Sequence, residues 1–189
     1  MALDTFKGQV ALVTGGGGGI GRAICLQLAR DGARVLVTDL NLEAARETLR
    51  LMAGPANHLA LPMDVTQHSD VEGVIAAARD RFEAPPSLLV NCAGIADLGP
   101  FLSITKARLD KMMDVNLKGT FIVTQAVIRA LLEGTQGEGE GEGEGEGRGS
   151  VVNISSMAGK AGFPDHSHYV ATKGGVIALT KSCAADMAK

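Results

Sequence analysis

Apolar and polar residues divide the chain into two alternating kinds of segment. Five short runs predict β-strands, and the first of them is apolar without any period, which is typical of a strand buried on both faces. The predicted strands cover residues 9–13, 34–38, 58–63, 87–90 and 150–154. Between them, apolar residues recur at the spacing of one helix face, as Ile20, Ile24 and Leu28 do. The predicted helices cover residues 20–30, 42–52, 69–82, 109–132 and 169–188.

The alternation of strands and helices indicates how the elements are connected. A helical crossover between two strands gives parallel neighbours in right-handed units. The predicted fold is therefore α/β, a doubly wound parallel sheet with helices on both faces. A length of 189 residues suits a single domain over residues 1–189.

Two segments depart from this pattern. Residues 134–149 contain a Gly-Glu repeat, and because both residue types form strands poorly and the like charges repel, a disordered loop insertion is predicted. Two interpretations are open, an acidic docking tail or an expanded surface loop that costs little stability. The last helix is still periodic at Cys183 and Met187, close to Lys189 where the chain stops, so we expect a domain that is incomplete at its C-terminal end.

Composition excludes several classes of protein. Hydrophobic residues make up 46% and charged residues 21%, and no apolar run approaches the roughly 20 residues that span a bilayer. The net charge of −3 includes five glutamates of the repeat, while the remainder has no basic stripe and few aromatic residues, so we expect no nucleic-acid partner. The chain opens without a signal pattern and its three cysteines are widely spaced. We therefore expect an intracellular protein, of the cytoplasm or the mitochondrion, with reduced thiols and no metal.

Glycines crowd the turn between the first strand and the first helix, where Thr14, Gly15, Gly19 and Gly21 fit a TGxxxGxG spacing. The chain must turn sharply there and its backbone must approach a pyrophosphate, and a missing Cβ favours each step. The helix N-terminus adds unpaired N–H groups and a positive dipole. A merely flexible loop is the alternative. The pattern predicts a Rossmann-type loop that holds a dinucleotide through Thr14, Gly15, Gly17, Gly18, Gly19, Ile20 and Gly21.

An acidic residue stands at the end of the second strand. Asp39 lies 18 residues beyond Gly21. A carboxylate there accepts hydrogen bonds from both ribose hydroxyls of an adenosine and repels a 2′-phosphate. This favours NAD(H) over NADP(H). The alternative is a turn or cap residue before Asn41.

Candidate catalytic residues gather in the last third of the chain. Tyr169 and Lys173 stand at i and i+4, on one face of a helix. A phenol is a poor base at neutral pH, and a fixed cation nearby favours the phenolate, so the pair can give and take the proton of a carbinol. Ser155 and Ser156 follow the fifth strand, at the end where such a sheet binds ligands. Either hydroxyl suits a substrate oxygen, and a strand-end cap is the alternative for each.

Taken together, these motifs resemble the short-chain dehydrogenase/reductase family. The family pattern adds a segment after the fourth strand, here Asn91-Cys92-Ala93-Gly94, an adenine-contacting pair, here Asp64-Val65, and an Asn-Ser-Tyr-Lys tetrad. The tetrad residues in this sequence are Asn116, Ser156, Tyr169 and Lys173, with the serine 13 residues before the tyrosine. Within the family the sequence is similar to the group of 3-oxoacyl-carrier-protein reductases and 17β-hydroxysteroid dehydrogenase type 8.

The resemblance implies a role for each tetrad residue. Ser156 positions and polarises a carbonyl, Tyr169 passes the proton, Lys173 assists the tyrosine and binds the nicotinamide ribose, and Asn116 holds a water of the proton relay. Asn91, Ala93 and Gly94 join the cofactor site. Two positions differ from the family pattern. Cys92 replaces an asparagine, and Gly18 stands where NADP-using members often carry an arginine, which again favours NAD(H).

The function that follows is an NAD(H)-dependent oxidoreductase acting on a secondary alcohol or ketone, such as a 3-oxoacyl thioester or a steroid. The resemblance also implies a homo-oligomer, dimer or tetramer, formed through the helices at residues 109–132 and 169–188. The alternative is a non-catalytic nucleotide-binding or subunit-interaction module, because the family's sixth and seventh strands and its substrate-covering loop have no counterpart here. Such a chain exposes a sheet edge.

Overall fold

The computed structural model describes residues 4–135 and 149–188 and contains a five-stranded parallel sheet in the order β3-β2-β1-β4-β5. The strands are β1 Val10–Thr14, β2 Arg34–Asp39, β3 Leu59–Pro62, β4 Leu88–Asn91 and β5 Ser150–Asn153. The helices are α1 Gly19–Arg30, α2 Leu42–Leu51, α3 His68–Phe82, α4 Lys106–Met113, α5 Thr120–Thr135 and α6 Ser167–Met187. The predicted doubly wound parallel sheet is confirmed. The insertion predicted at residues 134–149 lies for most of its length outside the described residues.

The long helix predicted at residues 109–132 has a more complex form. It begins three residues earlier, with α4, and a π-helical turn over Asp114–Gly119 joins α4 to α5. The recurrence of apolar residues every 3.6 positions does not reveal this turn, because a π-helical turn contains one extra residue and has no characteristic residue type. The Thr120 hydroxyl donates to the Asn116 carbonyl oxygen at 2.8 Å within this segment. The turn places Asn116 in the interior of the protein.

The sheet separates two hydrophobic clusters. On one face, Leu12, Leu36 and Leu89 pack with α3 and α5. On the other, Val13 and Val37 pack with residues of α1 and α2. Alternating strand residues thus feed opposite clusters, as the two-sided burial of a parallel sheet requires.

The strand at one end of the sheet is less covered than the others. All four residues of β4 are buried, whereas β5 alternates between exposed and partly buried positions. Val151 packs with the cluster that contains α5, while Val152 on the opposite face is 50% exposed. No described strand pairs with the outer side of β5. β5 thus forms one end of the described sheet, as β3 does at the other end.

One described helix, Lys106–Glu133, is long and apolar enough to cross a membrane by length and composition alone. Its residues Met112, Val123, Val127 and Ala130 are buried within the protein. Of these, Val123, Val127 and Ala130 pack in the cluster that contains residues of the sheet and of α3.

A buried histidine connects β2 to the segment after α2. The Nδ1 atom of His58 accepts a hydrogen bond from the Val35 amide at 3.1 Å. Its Nε2 atom lies 3.0 Å from the Ala53 carbonyl oxygen, to which it must donate. Burial lowers the pKa of His58, and the contact with Ala53 opposes that effect. The neutral imidazole is therefore the form that this part of the fold requires.

Candidate active site

The glycine-rich loop between β1 and α1 is shaped by close backbone contacts. Gly15 has a φ of +67°, and a Cβ at that residue would lie 2.9 Å from the Ala93 backbone. A Cβ at Gly21 would lie 2.1 Å from the Gly15 carbonyl oxygen. A side chain is excluded at both positions, so the first and last glycines of the predicted pattern are needed for the turn itself.

The middle of this loop leaves space above the N-terminus of α1. A Cβ at Gly18 or Gly19 would meet nothing within 4 Å, and Gly19 has a φ of +51°. Gly18 precedes the helix and provides no side-chain cap, and Ile20 in the first turn is exposed. An open helix N-terminus without a side-chain acceptor is a site for an anion. These residues fit the pyrophosphate of a dinucleotide.

Asp39 at the end of β2 lies directly beside the loop. Its Oδ2 atom accepts a hydrogen bond from the Gly17 amide at 3.0 Å, and its Oδ1 atom accepts one from the Asn41 amide at 2.9 Å. A Cβ at Gly17 would lie 2.8 Å from Oδ2. The carboxylate therefore takes part in the turn before α2, as the alternative interpretation holds, and also stands at the glycine loop, where the cofactor interpretation requires it.

Sequence reasoning missed two residues that support the loop. Arg22 of α1 donates to the Gly17 carbonyl oxygen at 2.5 Å and to the Thr48 hydroxyl at 3.0 Å. Thr48 of α2 donates in turn to the Gly16 carbonyl oxygen at 2.8 Å. Both side chains use carbonyl groups of the loop, whereas the amides of Gly16 and Gly17 donate to Thr38 and Asp39, so the amides from Gly18 onwards are the candidates for an anion. A polar residue buried on an otherwise apolar helix face, as Thr48 is, was the available signal.

Thr14 joins the end of β1 to the segment that follows β4. Its hydroxyl oxygen accepts hydrogen bonds from the amides of Cys92 at 3.1 Å and Ala93 at 2.9 Å. The next residue, Gly94, lies close to two members of the predicted tetrad. A Cβ there would be 3.2 Å from Asn116 Oδ1 and 3.6 Å from Lys173 Nζ. The segment after β4 thus connects the glycine loop to the candidate catalytic residues.

Asn116, in the π-helical turn, fixes the loop after β4. Its Oδ1 atom accepts from the Ile95 amide at 2.8 Å, and its Nδ2 atom donates to the Ile95 carbonyl oxygen at 2.9 Å. The same Nδ2 atom lies 3.2 Å from the Thr172 hydroxyl of α6. The side chain is therefore occupied by backbone and helix contacts. The water-holding role that the resemblance implies for Asn116 stays a prediction.

Tyr169 and Lys173 lie on one face of α6, as predicted. The Lys173 Nζ atom lies 5.9 Å from the centroid of the Tyr169 ring and donates to the Ile154 carbonyl oxygen at 2.8 Å. Lys173 is buried, and burial lowers its pKa, an effect that the Cys92 thiol opposes. Burial likewise raises the pKa of the Cys92 thiol, and Lys173 lowers it. The lysine thus places a buried ammonium group beside the Tyr169 ring.

Ser156 and Ser155 take different positions after β5. The Ser156 hydroxyl oxygen accepts from the Ala158 amide at 3.1 Å and caps a short 3₁₀ turn, Met157–Gly159. Ser155 donates to the Lys173 carbonyl oxygen at 2.8 Å. The cap interpretation therefore describes Ser156 in this structure. Its hydroxyl hydrogen is not used by this contact and is available to a carbonyl oxygen.

Three residues predicted to contact the cofactor have side chains with structural partners. Asn91 Nδ2 donates to the Thr124 hydroxyl at 2.9 Å and to Asn153 Oδ1 at 2.8 Å. Asp64 Oδ1 accepts from the amide and the hydroxyl of Thr66 before α3. Val65 is buried, and a Cβ at Gly119 would lie 2.6 Å from it. The Asp64 amide also donates to Asp70 Oδ2 at 3.0 Å, so contact of these three residues with a cofactor stays a prediction.

The amide of Asn91 belongs to a polar chain that sequence reasoning missed. Asn153 of β5 receives its hydrogen bond and donates from Nδ2 to the Thr180 hydroxyl of α6 at 2.9 Å. The chain therefore runs from α5 through β4 and β5 to α6. Asparagines at the ends of two neighbouring strands, here paired in register, were the signal that could have identified it.

Comparisons with known proteins agree with this arrangement. The family described as short chain dehydrogenase matches residues 9–189. A (3R)-3-hydroxyacyl-CoA dehydrogenase of Homo sapiens is 39% identical, and the alignment covers 98% of this chain and 70% of that protein. A sorbitol dehydrogenase of Cereibacter sphaeroides is also 39% identical, and the alignment covers 96% of this chain and 64% of that protein. A solved structure assigned as a short-chain alcohol dehydrogenase from Sinorhizobium meliloti 1021 superimposes with a TM-score of 0.86 at 30% identity, over 98% of this chain and 69% of that one. The chain belongs to the short-chain dehydrogenase family of oxidoreductases.

Proposed function

We propose that this chain interconverts a secondary alcohol and a ketone, with NAD(H) as the preferred nicotinamide cofactor. The observation that carries the proposal is that three features lie together at the carboxyl ends of the parallel strands. They are the open glycine loop, the Gly94 backbone against Asn116 and Lys173, and Tyr169 beside Lys173 on α6. The carboxyl ends of the strands are where open α/β sheets bind their ligands.

The chemistry is divided between the cofactor and the protein. A nicotinamide cofactor, when bound, supplies or accepts the hydride. In ketone reduction, the Tyr169 hydroxyl gives its proton to the oxygen of the former carbonyl, and in alcohol oxidation the phenolate takes it back. The buried Lys173 ammonium group, beside the ring, would stabilise the negative charge that develops on the phenol oxygen as the proton leaves. The Ser156 hydroxyl donates to the same substrate oxygen and holds it at the tyrosine.

The preference for NAD(H) rests on the environment of Asp39. Its carboxylate lies at the glycine loop and is held there by the Gly17 amide. An adenosine ribose at this position would offer two hydroxyl donors to the carboxylate, whereas a 2′-phosphate would bring like charge against it. Arg22, the nearest guanidinium to the loop among the contacts described, is engaged by the Gly17 carbonyl oxygen and by Thr48.

For the substrate, we propose a 3-hydroxyacyl or 3-oxoacyl thioester. The support is the human relative, whose name states that it acts on (3R)-3-hydroxyacyl-CoA and which aligns with 98% of this chain. The sorbitol dehydrogenase, at the same identity, shows that the family site takes other alcohols. A steroid ketone is the second member of the proposed substrate set.

Assembly and location follow as further proposals. We propose a homo-oligomer that associates through α5 and α6, because Phe121, Leu132 and Met187 expose large apolar side chains there. We place the protein inside the cell, in the cytoplasm or the mitochondrion. Free cysteines at positions 25, 92 and 183 suit a reducing compartment.

A non-catalytic nucleotide-binding or subunit-interaction module is the second candidate. The observation that favours it is the open outer side of β5 together with the length of the relatives, of which the chain spans 70% or less in the comparisons above. In that case the glycine loop binds the cofactor and no hydride transfer follows. The two candidates differ in turnover and share cofactor binding.

Fluorescence titration of the chain with NADH, and with NADPH in parallel, followed by NADH-dependent reduction of acetoacetyl-CoA, tests the proposal. We expect NADH to bind more tightly than NADPH, turnover of acetoacetyl-CoA, and loss of that turnover in Tyr169→Phe with NADH binding retained. Binding without turnover supports the second candidate. The absence of NADH binding contradicts both.

A further inference from the structure

The residue before the candidate catalytic tyrosine is a buried histidine with an unusual environment. His168 is 3% exposed, and neither ring nitrogen has a hydrogen-bond partner among the described residues. One polar group faces the ring, the Asp97 carboxylate, whose Oδ2 atom lies 3.7 Å from His168 Nε2. A buried polar group without a partner destabilises the folded protein. This contact is therefore the one that accounts for a histidine at this position.

Asp97 itself is held rigidly by α4. Arg108 donates from Nε to Oδ2 at 2.6 Å and from Nη2 to Oδ1 at 2.7 Å, and it also donates to the Leu98 carbonyl oxygen at 2.9 Å. This two-point contact lowers the pKa of Asp97, and His168 contributes in the same direction. The carboxylate is therefore ionised and fixed, with one oxygen directed at the imidazole.

The start of α6 depends on such contacts. Its N-cap residue, His166, makes no side-chain cap, and the preceding Asp165 has a positive φ of 61°. The Gly99 amide donates to the Asp165 carbonyl oxygen at 2.9 Å, which attaches the loop after β4 to this segment. The Asp97–His168 contact attaches the same loop one turn further on. That loop is in turn fixed to Asn116 through Ile95.

We propose that His168 is a positioning residue, which acts through Asp97 and Arg108 to set Tyr169 against the loop after β4. The inference rests on the proposed oxidoreductase function, because Tyr169 is the proton donor of that reaction. The contact between His168 Nε2 and the Asp97 carboxylate, at 3.7 Å, attaches the first turn of α6 to the loop after β4 and fixes the rotation of that turn. The hydroxyl of the next residue is thereby held at the place where a ketone oxygen must lie. His168 therefore affects the rate of the chemical step and not the binding of substrate or cofactor.

Kinetics separate this role from a contribution to binding or folding. We expect His168→Leu and Asp97→Asn to lower kcat for acetoacetyl-CoA reduction about 10- to 100-fold, the size of effect that misplacement of a reacting group produces. The affinity for NADH stays within about twofold, because no described contact joins either residue to the glycine loop. The KM for acetoacetyl-CoA also stays within about twofold, because the proposed role affects the chemical step alone. His168→Gln, which retains an N–H donor at similar reach, restores most of kcat. Wild-type kcat in His168→Leu would overturn the proposal.

A second measurement does not depend on turnover. The chain contains one tyrosine and no tryptophan, so the signal of ring-labelled ¹³C-tyrosine in an NMR spectrum reports Tyr169 alone. Asp97→Asn changes a residue outside α6, and we expect it to shift the Tyr169 ring signal. The matched control is Glu133→Gln, which removes the surface pair between Arg79 and Glu133 and leaves the Tyr169 signal unchanged.

The outcomes distinguish the two proposals. A Tyr169 signal that does not respond to Asp97→Asn overturns the positioning role, whatever the activity. A signal that responds in a chain that binds NADH but does not reduce acetoacetyl-CoA supports the positioning role and refutes that reaction. Thermal unfolding of each variant shows that the comparison is made between folded proteins.

Discussion

At the scale of single residues, the contacts of each side chain decide which of its possible roles the structure supports. Asp39 combines two roles, because its carboxylate closes the turn before α2 and also lies at the glycine loop. Its spacing from Gly21 in the sequence predicts a place beside the cofactor loop. It could not predict the hydrogen bond to Gly17, which depends on how the ends of β1 and β2 are arranged in space.

Replacing Asp39 tests the cofactor preference. Asp39→Ser removes the charge that repels a 2′-phosphate and the acceptor of the Gly17 amide, so we expect weaker NADH binding and stronger NADPH binding. The ratio of the two dissociation constants should shift by about tenfold or more, which corresponds to roughly 1.4 kcal/mol. Asp31→Asn, an exposed carboxylate bonded by Gln27, is the control that leaves the ratio unchanged. An unaltered ratio in Asp39→Ser would show that Gly18 and its neighbours set the preference without the carboxylate.

His58 makes stability depend on pH. Its folded-state pKa is lowered, so the unfolded chain binds a proton more readily than the native protein as the pH falls. The stabilisation is complete above the unfolded pKa of about 6.5 and decreases as the pH falls below that value, by up to about 1.4 kcal/mol per pH unit. His58→Gln retains an acceptor for the Val35 amide and a donor for the Ala53 carbonyl oxygen, and it does not titrate. Urea unfolding from pH 5 to 8 should show a shallower decline in the variant, and equal slopes would rule out His58 as the source.

At the scale of elements, the order of strands and helices could be predicted almost entirely from apolar patterning. Two features could not. The π-helical turn at Asp114–Gly119 adds a residue to an otherwise regular helix, and no change in residue type marks it. The contacts of Thr14 likewise depend on how β1 pairs with β4. Its hydroxyl accepts hydrogen bonds from the amides of Cys92 and Ala93, which are distant in the sequence.

Replacing Thr14 tests how β1 and the segment after β4 are joined. Thr14→Val keeps the shape of the side chain and leaves two amide groups without their acceptor. We expect the free energy of unfolding to fall by about 2–6 kcal/mol, since each of the two unsatisfied groups costs about 1–3 kcal/mol. NADH should also bind more weakly, because the amides of Cys92 and Ala93, just before Gly94, lose their acceptor. Thr14→Ser retains the acceptor and should resemble the wild type in urea unfolding, so two variants that behave alike would contradict this account.

At the scale of the whole molecule, two surfaces compete to bring copies of the chain together. One is the outer side of β5, where backbone groups have no described partner and Val152 is half exposed. The other is the exposed apolar side of α5 and α6, which includes Phe121 and Met187. An edge strand pairs readily with another chain and gives open-ended aggregates, whereas a helix face associates in closed symmetric units. The two surfaces therefore predict different behaviour in solution.

Sedimentation velocity over a range of concentrations separates these surfaces. We expect the wild-type chain to sediment as a concentration-dependent mixture larger than a monomer. Val152→Lys places a charge at the sheet edge and should remove the largest species, with little change in the unfolding temperature, because the position is half exposed. Phe121→Glu should instead reduce a discrete dimer or tetramer. A wild-type chain that stays monomeric at all concentrations would show that neither surface associates, and the homo-oligomer proposed above would then be wrong for this chain.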